Sequence, residues 1–508
     1  MSIHHKIKGL EDLASLLSSL RAEGKTVVQC HGVFDLLHVG HIRHFGQARK
    51  HGDILVVTVT PDRYVNKGFH RPAFTEDLRA EAIAALDCVD YVAINKWPTA
   101  VEAIKLLTPD IYAKGTEYKD AEKDLTGKIV DEEEAIQSVG GKVAFTDDIV
   151  FSSSNLINKY LPAFPKEVRE YLPRLLDRYS VRDILKYLSN ASSLKVLVVG
   201  EAIIDEYRYC ETMGKSGKEP ILAARHVRSE RFAGGVLAVA NHVAAFCDRV
   251  DLLTLLGKHD SQEGFIRQQV AANVNNMFLY MENAPTIVKQ RFVEIYPFQK
   301  LFEVYVMGVE ESDISETEAL CAKLKGVLPQ YDVVIVADYG HGMLNPEVIS
   351  ILCGHARFLA INTQINAGNH GFNTVAKYPR ADYICVSAKE LRLDARSRVG
   401  NLRGIVLDVA KRLSCDKVVI TQGQKGCLCY GKEEGFLEMP AFATKVVDRV
   451  GAGDAVFAVS ALCAAQQAPM EVIGFIGSVV GAEAVATVGN KRSIERVSLF
   501  KHIESLLK

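Results

Sequence analysis

Short apolar runs alternate with amphipathic segments along the first part of the chain. The runs Ile54–Val59, Tyr91–Ile94 and Lys142–Phe145 have the length and the β-branched content of buried strands. Between them, Glu76–Leu86 and Ala100–Leu107 repeat their apolar residues at helical spacing. Strands that alternate with helices are typical of a parallel sheet covered by helices, so the pattern predicts an α/β fold for this region.

A change in composition separates this region from a second one. Residues 161–193 read as charged helix interrupted by Pro162, Pro165 and Pro173, which predicts a helical linker. Apolar strands begin again at Lys195–Gly200, and four later runs have the same character: Val333–Ala337, Phe358–Ile361, Tyr383–Val386 and Val418–Thr421. We therefore expect domains at residues 1–160 and 194–508, both α/β, joined by the linker 161–193.

Composition and charge narrow the class of protein. A chain of 508 residues is long enough for two or three domains, and its net charge of −2 without a basic stripe makes nucleic acid an unexpected partner. No apolar run reaches the length of a membrane span, and the first residues are too charged for a secretory signal. The 11 cysteines form no CxxC pair, which favours a reducing compartment. We expect a cytoplasmic protein with no membrane partner; a homodimer is one assembly that the sequence allows.

The segment QCHGVFDLLHVGH, residues 29–41, joins a predicted strand to a predicted helix. His38 and His41, three residues apart, fall on one face of the first helical turn. The unpaired N–H groups and partial positive charge of a helix start favour phosphate. Two imidazoles there can hold oxygens of a nucleoside triphosphate as charge builds at the α-phosphorus. A metal pair and an ordinary surface helix are the alternatives, and the metal is the weaker one because no convincing third ligand is spaced for it.

GVFDLLHVGH resembles the GxFDxxHxGH signature of the cytidylyltransferase-like nucleotidyltransferases, and the resemblance extends over residues 1–160. It implies a Rossmann-like domain in which His38, His41 and Lys67 are catalytic, with Lys67 reaching the triphosphate. It also implies a set of nucleotide-binding residues: Gly32, Phe34, Asp35, Gly40, Arg79, Lys114, Gly115, Ser152, Ser153 and Ser154.

In the second region, DRVGAGDAVF begins at Asp448 and leads into an apolar helix. Gly451 and Gly453 let backbone amides converge on a transferring phosphoryl group. Asp454 lies in the first turn of that helix and can accept the proton of an attacking hydroxyl. An Asp that only caps a buried helix is the alternative. The Walker pattern GxxxxGK[ST] and the third glycine of a dinucleotide fingerprint are both missing from the sequence.

GAGD at this place resembles the second signature of the ribokinase-like (PfkB) sugar kinases, over roughly residues 191–508. The resemblance implies a ribokinase-like α/β domain with Asp454 as its catalytic base and Glu390 near the metal. The nucleotide-binding residues that it implies are Thr421, Gly423, Gly426, Gly451, Ala452 and Gly453, and the substrate-binding residues are Asp205, Gly234, Gly235, Asn241, Lys289, Arg291 and Asp338.

The kinase half is most similar to that of bifunctional heptose kinase/nucleotidyltransferases, although the domain order is reversed. Ser387 stands where the family has the Asn of NxxE, and His341 stands where the heptose kinases tend to have Lys. The amide-rich segment INTQINAGNHG, residues 361–371, replaces an Asp-Pro-Lys type of turn. It either shapes the acceptor pocket or is a capped turn.

Together the two resemblances imply a bifunctional enzyme of nucleotide-sugar synthesis. The kinase would phosphorylate a small-molecule sugar or sugar phosphate, heptose-like, with ATP, and the nucleotidyltransferase would then use ATP or CTP and release pyrophosphate. Mg²⁺ is expected in both steps because bridging phosphates need a hard cation. Lys289 and Arg291 either hold a second phosphate on the acceptor or face solvent. In the alternative function, one half is active and the other is a ligand sensor or scaffold.

Overall fold

The structure is a computed structural model, and it describes residues 3–65, 72–115, 128–146, 164–308, 315–369 and 371–507. The chain divides into two compact units, residues 1–165 with 504–508 and residues 166–503. Both units are α/β, as the sequence predicts. Among the described helices, none has the length and apolar character that crossing a membrane requires.

The strands described in the first unit form one parallel sheet in the order β3-β2-β1-β4-β5. These strands are β1 (Val27–Gly32), β2 (Ile54–Val59), β3 (Tyr91–Ile94), β4 (Ile111–Gly115) and β5 (Lys142–Thr146). The helices are α1 (Leu10–Ala22), α2 (Val39–Arg49), α3 (Glu76–Ala84), α4 (Val101–Leu107) and α5 (Lys128–Ser138), with short 3-10 turns at Ile3–Lys6 and Asp62–Tyr64.

This strand order creates a crevice at the end of β1. The chain leaves β1 towards β2 and β3 on one side and returns to β4 on the other. In such sheets, ligands bind where the order reverses, beyond the carboxyl ends of the strands. The sheet therefore places the segment after β1, which contains the two predicted histidines, at this switch point.

Arg79, predicted to bind nucleotide, ties together the loops around this crevice. Its guanidinium is 2% exposed and donates to the carbonyl oxygens of Phe74 (3.0 Å) and Thr60 (2.9 Å), to that of Val33, and to the carboxylate of Asp62. These bonds use four of the five N–H donors of the guanidinium and give Arg79 a structural role. Its binding to nucleotide stays a prediction.

The second unit contains two further sheets. One has the order β10-β9-β6-β13-β14-β15-β16-β17-β18, and its strands are parallel except where β17 pairs with β16 and β18. The other has the order β12-β11-β7-β8. The strands are β6 (Val196–Gly200), β7 (Ala202–Lys215), β8 (Leu222–Gly235), β9 (Val250–His259), β10 (Val274–Pro285), β11 (Ile287–Glu294), β12 (Gln299–Val306), β13 (Val333–Asp338), β14 (Leu359–Thr363), β15 (Tyr383–Ser387), β16 (Lys417–Thr421), β17 (Cys427–Gly431) and β18 (Gly435–Met439).

Helices cover the larger sheet, and the core between them is dominated by Val, Leu and Ile. The helices described from residue 166 onwards are α6 (Lys166–Leu176), α7 (Val181–Asn190), α8 (Val236–Ala244), α9 (Glu263–Gln269), α10 (Ser315–Val327), α11 (Pro346–His355), α12 (Ala388–Asp394), α13 (Leu402–Arg412), α14 (Ala452–Ala465), α15 (Met470–Ala484) and α16 (Arg496–Leu506). Short 3-10 turns lie at Ala191–Ser193, Leu328–Gln330, Val375–Lys377 and Gly423–Lys425.

The predicted linker 161–193 contributes helices to the second unit. Within it, α6 and α7 belong to the second unit. The Tyr171 hydroxyl lies 3.0 Å from the Met439 sulfur, and Arg178 pairs with Glu471 at 2.6 Å. These helices therefore pack as part of the second unit.

We predict that Arg79→Met destabilises the first unit by roughly 2–4 kcal/mol, because it leaves buried carbonyl oxygens and Asp62 without their donor. Trp97, the only tryptophan of the chain, lies in this unit. Urea unfolding followed by its fluorescence measures the loss. Arg63→Met is the matched control because Arg63 makes only weak surface contacts among the described residues, an exposed bond to the Lys96 carbonyl and a cation–π contact with Tyr64 at 5.0 Å. Equal stability of the two variants would contradict the structural role of Arg79.

Candidate active sites

The first site is the start of α2, where His38 is the N-cap residue. Its Nδ1 accepts a hydrogen bond from the Gly40 backbone N–H at 3.1 Å. Since that nitrogen accepts, the proton of the neutral ring lies on Nε2, for which no partner is found among the described residues. Burial lowers the pKa of His38, which favours this neutral form. The ring thus has a buried N–H donor beside the positive end of a helix.

His41 stacks on His38, as the predicted shared face requires. The ring centroids are 3.9 Å apart with 23° between the planes. Phe34 contacts the His41 ring edge-on at 5.3 Å, and Gly32 leaves room for Phe34, since a Cβ at Gly32 would lie 2.9 Å from that ring. The four predicted residues therefore form one cluster at the end of β1.

The other predicted residues of this unit have varied positions. Asp35 is buried and accepts from the Ala73 backbone N–H. Lys114, at the end of β4 next to Gly115, pairs with the buried Glu132 at 2.6 Å. Lys67, Ser152, Ser153 and Ser154 lie outside the described residues. His44, which had no predicted role, bonds to Thr146 at 2.7 Å, and burial lowers its pKa to about 4.

The second site is a cavity of about 340 Å³ at the start of α14. It is lined by predicted residues from the strand ends of both sheets: Asp205, Gly235, Lys289, Arg291, Glu390, Thr421, Gly451, Gly453 and Asp454. Further lining residues had no predicted role as site residues: Ile203, Tyr339, Asn362, Gln364, Cys385, Val386, Ser387, Arg449 and Val450.

Asp454 lies in the first turn of α14 and is 7% exposed. Its Oδ1 accepts from the Tyr339 hydroxyl at 2.9 Å and from the Gln364 side-chain amide at 2.5 Å. Burial raises the pKa of Asp454 to about 7, against the two hydrogen bonds, which lower it. A carboxylate with this pKa at a helix start is suited to accept a proton near neutral pH.

The loop before α14 requires glycine. Gly451 has a φ of +82°, and a Cβ there would lie 1.9 Å from the Asn490 side-chain oxygen. The buried Asp448 anchors this loop by accepting from Tyr207 (2.6 Å), from Lys300 (2.5 Å) and from the Val450 backbone N–H (3.1 Å). The amides at the helix start are thereby held in one arrangement, and a helix start of this kind favours an anionic group.

Two basic residues of β11 have different partners at the other end of the cavity. Arg291 is paired with Asp205 and, at 3.1 Å, with Glu303. Lys289 is 5% exposed, and no hydrogen bond or ion pair to it is found among the described residues. Its ammonium lies 4.9 Å from the centre of the Tyr305 ring and 6.0 Å from that of Tyr339. Lys289, but not Arg291, thus remains as a cation for a ligand.

Several predicted kinase residues do not line the cavity. Asn241 holds the turn at residues 269–271 by bonds to the Gln269 carbonyl and the Ala271 N–H, both 2.9 Å. Asp338 is fully buried against Lys377 and Tyr378, each 2.6 Å away. Both side chains support the fold through these contacts, and their binding to substrate stays a prediction. Four further predicted positions do not line the cavity: Gly234, Gly423, Gly426 and Ala452. Gly234 packs on the Asp205 carboxylate.

Glu390 lines the cavity and also caps α12. Its carboxylate accepts from the backbone N–H groups of Ser387 (2.7 Å) and Ile365 (3.3 Å), and the Ser387 hydroxyl accepts from the Glu390 N–H. Burial raises the pKa of Glu390. No cluster of three metal-ligating side chains occurs in the part of the chain that the structure describes. One carboxylate beside a phosphate site fits a Mg²⁺ that arrives with nucleotide and keeps its waters, rather than a protein cage.

Comparison with known proteins finds two family models in the chain. Residues 30–159 match the model of the cytidylyltransferase-like family, and residues 193–496 match that of the pfkB family carbohydrate kinases. The bifunctional proteins HldE of Geobacter metallireducens and Geobacter sulfurreducens are 39% and 38% identical over 167 residues. That match covers 32% of this chain and 32% of each relative, so it spans about a third of the curated proteins.

Solved structures share the fold of the second unit. Phosphofructokinase-2 from Escherichia coli in complex with potassium has a TM-score of 0.51 at 15% identity, over 62% of this chain and 100% of that chain. The same protein in complex with fructose-6-phosphate has a TM-score of 0.50 at 13% identity, over 62% and 100%. At these identities the likeness shows the fold alone. Because the kinase model matches well over half of the chain, the protein belongs to the pfkB family of carbohydrate kinases and carries a cytidylyltransferase-like domain ahead of its kinase domain.

Proposed function

We propose that the chain is a bifunctional enzyme of nucleotide-sugar synthesis, in which a sugar kinase supplies the substrate of a nucleotidyltransferase. The observation that carries this proposal is that each unit has its own helix start suited to phosphate, with His38 and His41 at one and Asp454 at the other. The family membership and the partial match to bifunctional relatives support it.

In the kinase step, an acceptor hydroxyl gives its proton to Asp454 as its oxygen bonds to the γ-phosphorus of ATP. The bond from that phosphorus to the β-phosphate oxygen breaks, and ADP leaves. The amides of the loop at Gly451–Gly453 stabilise the charge on the transferring group. Mg²⁺ bound to the nucleotide would neutralise phosphate charge, with Glu390 as the protein carboxylate beside it.

In the nucleotidyl step, the new sugar phosphate attacks the α-phosphorus of a nucleoside triphosphate, and pyrophosphate leaves. The Nε2–H of His38 and the stacked His41 are placed to hold oxygens whose charge grows during this step. We propose ATP or CTP as the nucleotide.

The chain's eleven cysteines are all free in the structure, which supports a reducing compartment such as the cytoplasm.

The acceptor that we propose is a heptose-like sugar that already carries an anionic group. Lys289 supports this choice, because burying an ammonium without a partner is costly and an anionic ligand would remove that cost. Arg291 orients Asp205, which is then an acceptor for sugar hydroxyls. A pyrophosphate-release screen that crosses four nucleoside triphosphates with a panel of sugar 1-phosphates, including heptose, tests the nucleotidyl step and identifies its substrates.

We predict that the two activities separate by mutation. His41→Ala should abolish nucleotidyl transfer and leave ATP-dependent phosphorylation, whereas Asp454→Asn should do the reverse, because each change removes a group from one site only. ADP release and pyrophosphate release measure the two steps. Loss of both activities in one folded variant would contradict two independent sites, and a wild-type chain lacking one activity would favour a sensor or scaffold role for that half.

Lys289→Met should raise the KM for a phosphorylated acceptor on the order of tenfold or more, since it removes a charge-assisted hydrogen bond. The KM for ATP should stay constant. Lys432→Met, which removes an exposed lysine of the same unit, is the control. An unchanged acceptor KM in the Lys289 variant would show that the ammonium does not bind the acceptor.

The kinase product should be an anomeric 1-phosphate, or a terminal phosphate if the acceptor is an open-chain polyol. The reason is that nucleotidyl transfer needs a phosphate monoester at the carbon that will carry the nucleotide. Phosphorus NMR of the kinase reaction without the second nucleotide identifies the position. A phosphate at a position that the N-terminal domain does not use would contradict the sequential scheme.

A further inference from the structure

Asp454 is held by two side chains that reach it from different strand ends. Tyr339 follows β13 and Gln364 follows β14, and both donate to the same oxygen, Oδ1, at 2.9 and 2.5 Å. No donor to Oδ2 is found among the residues that the structure describes. The carboxylate thus has one committed oxygen and one oxygen available to a ligand in the cavity.

The amide-rich segment, residues 361–371, and Asn373 just after it fix both donors through their backbones. Asn366 donates to the Tyr339 carbonyl at 2.7 Å, and Asn369 donates at 3.0 Å to the carbonyls of both Tyr339 and Gln364. Asn373 adds a bond of 3.2 Å to the Gln364 carbonyl. Three side-chain amides therefore converge on the carbonyl groups of the two residues that contact Asp454.

The backbone of Tyr339 is also held from β6. The carboxylate of Glu201, just after that strand, accepts from the Tyr339 N–H at 2.9 Å and from the His341 N–H at 3.2 Å. Burial and the neighbouring Asp454 raise the pKa of the Tyr339 hydroxyl well above its usual value, so it keeps its proton and donates. Such a framework leaves little freedom for the orientation of either donor.

We propose that Gln364 and Tyr339 are positioning residues of the kinase, which orient Asp454 so that Oδ2 receives the acceptor proton, and that the asparagines of the amide-rich segment are their scaffold. This inference rests on the proposed kinase function and deepens it. It gives residues 361–371 a role in the reaction, which is to hold the residues that orient Asp454, and not only the role of a capped turn.

The proposal predicts a change in the pH profile. A hydrogen bond donated to the charged form of an acid stabilises that form, so removing it raises the pKa of the acid. Asp454 would then be protonated, and inactive as a base, up to a higher pH. The acid limb of kcat/KM, which reports the base in the free enzyme, should move upward by about one pH unit.

The experiment measures kcat/KM against pH for phosphorylation of the best acceptor found, using full-length protein. Gln364→Met keeps the volume and removes the donor, so its acid limb should move upward, and activity should recover at high pH. Gln364→Lys places a cationic donor at the same point and should move the limb downward. Tyr339→Phe should act like Gln364→Met, and Gln330→Met, at an exposed site, should leave the profile unchanged.

The outcomes separate this inference from the proposed function. If Asp454→Asn remains active, the kinase mechanism itself fails. If Asp454→Asn is inactive while the Gln364 variants lose activity equally at every pH, Gln364 has only a structural role and the positioning proposal is overturned. The melting temperature, measured with and without ATP, identifies a variant that does not fold. If Gln364→Met does not fold, Gln364→Lys and Tyr339→Phe test the proposal by the direction in which each moves the acid limb.

Discussion

A carboxylate that is buried away from water needs hydrogen-bond donors from the protein, and this requirement organises the kinase unit. Asp454, Asp448 and Asp205 are each at least nine-tenths buried. Each is bonded by side chains from distant parts of the chain: Gln364 and Tyr339, Lys300 and Tyr207, and Arg291. Because an unpaired buried charge is so costly, these bonds fix the ends of strands from both sheets around one cavity. The geometry of the site therefore follows from the need to give each buried carboxylate its hydrogen-bond donors.

The parallel sheets are the part of the fold that the sequence predicts best. The strands predicted at Ile54–Val59 and Tyr91–Ile94 have the observed bounds, and the ends of the other predicted strands differ from the observed ends by at most two residues. Strands covered on both faces are apolar throughout, so they stand out. The sheet of β7, β8, β11 and β12 was not predicted. Residues 222–230 of β8 are largely exposed and charged, and no periodic apolar signal distinguishes such a strand from a loop.

Local motifs could be predicted for the sites, but the partners of charged residues could not. His38, His41, Gly451 and Asp454 lie where their neighbours in sequence place them, at helix starts. Arg79 and Arg291 bond to groups 46 and 86 residues away, and nothing in the neighbouring sequence shows that each guanidinium already has partners within the protein.

Ser387 is a different case. The pattern Ser-x-x-Glu is a capping box that the sequence itself contains, so the change from Asn preserves the helix start and keeps Glu390 in place.

The distribution of charge in the cavity decides what kind of recognition it can perform. If Arg291 were free, two adjacent cations would attract any polyanion, including the phosphates of the nucleotide. Asp205 and Glu303 neutralise it and turn it into a support for Asp205. Of these two cations Lys289 then remains without an ion-pair partner among the described residues, with its ammonium near the rings of Tyr305 and Tyr339. Under the proposed function, a cation at this position and Asp454 as the base can together select an acceptor by the distance between its anionic group and its reactive hydroxyl.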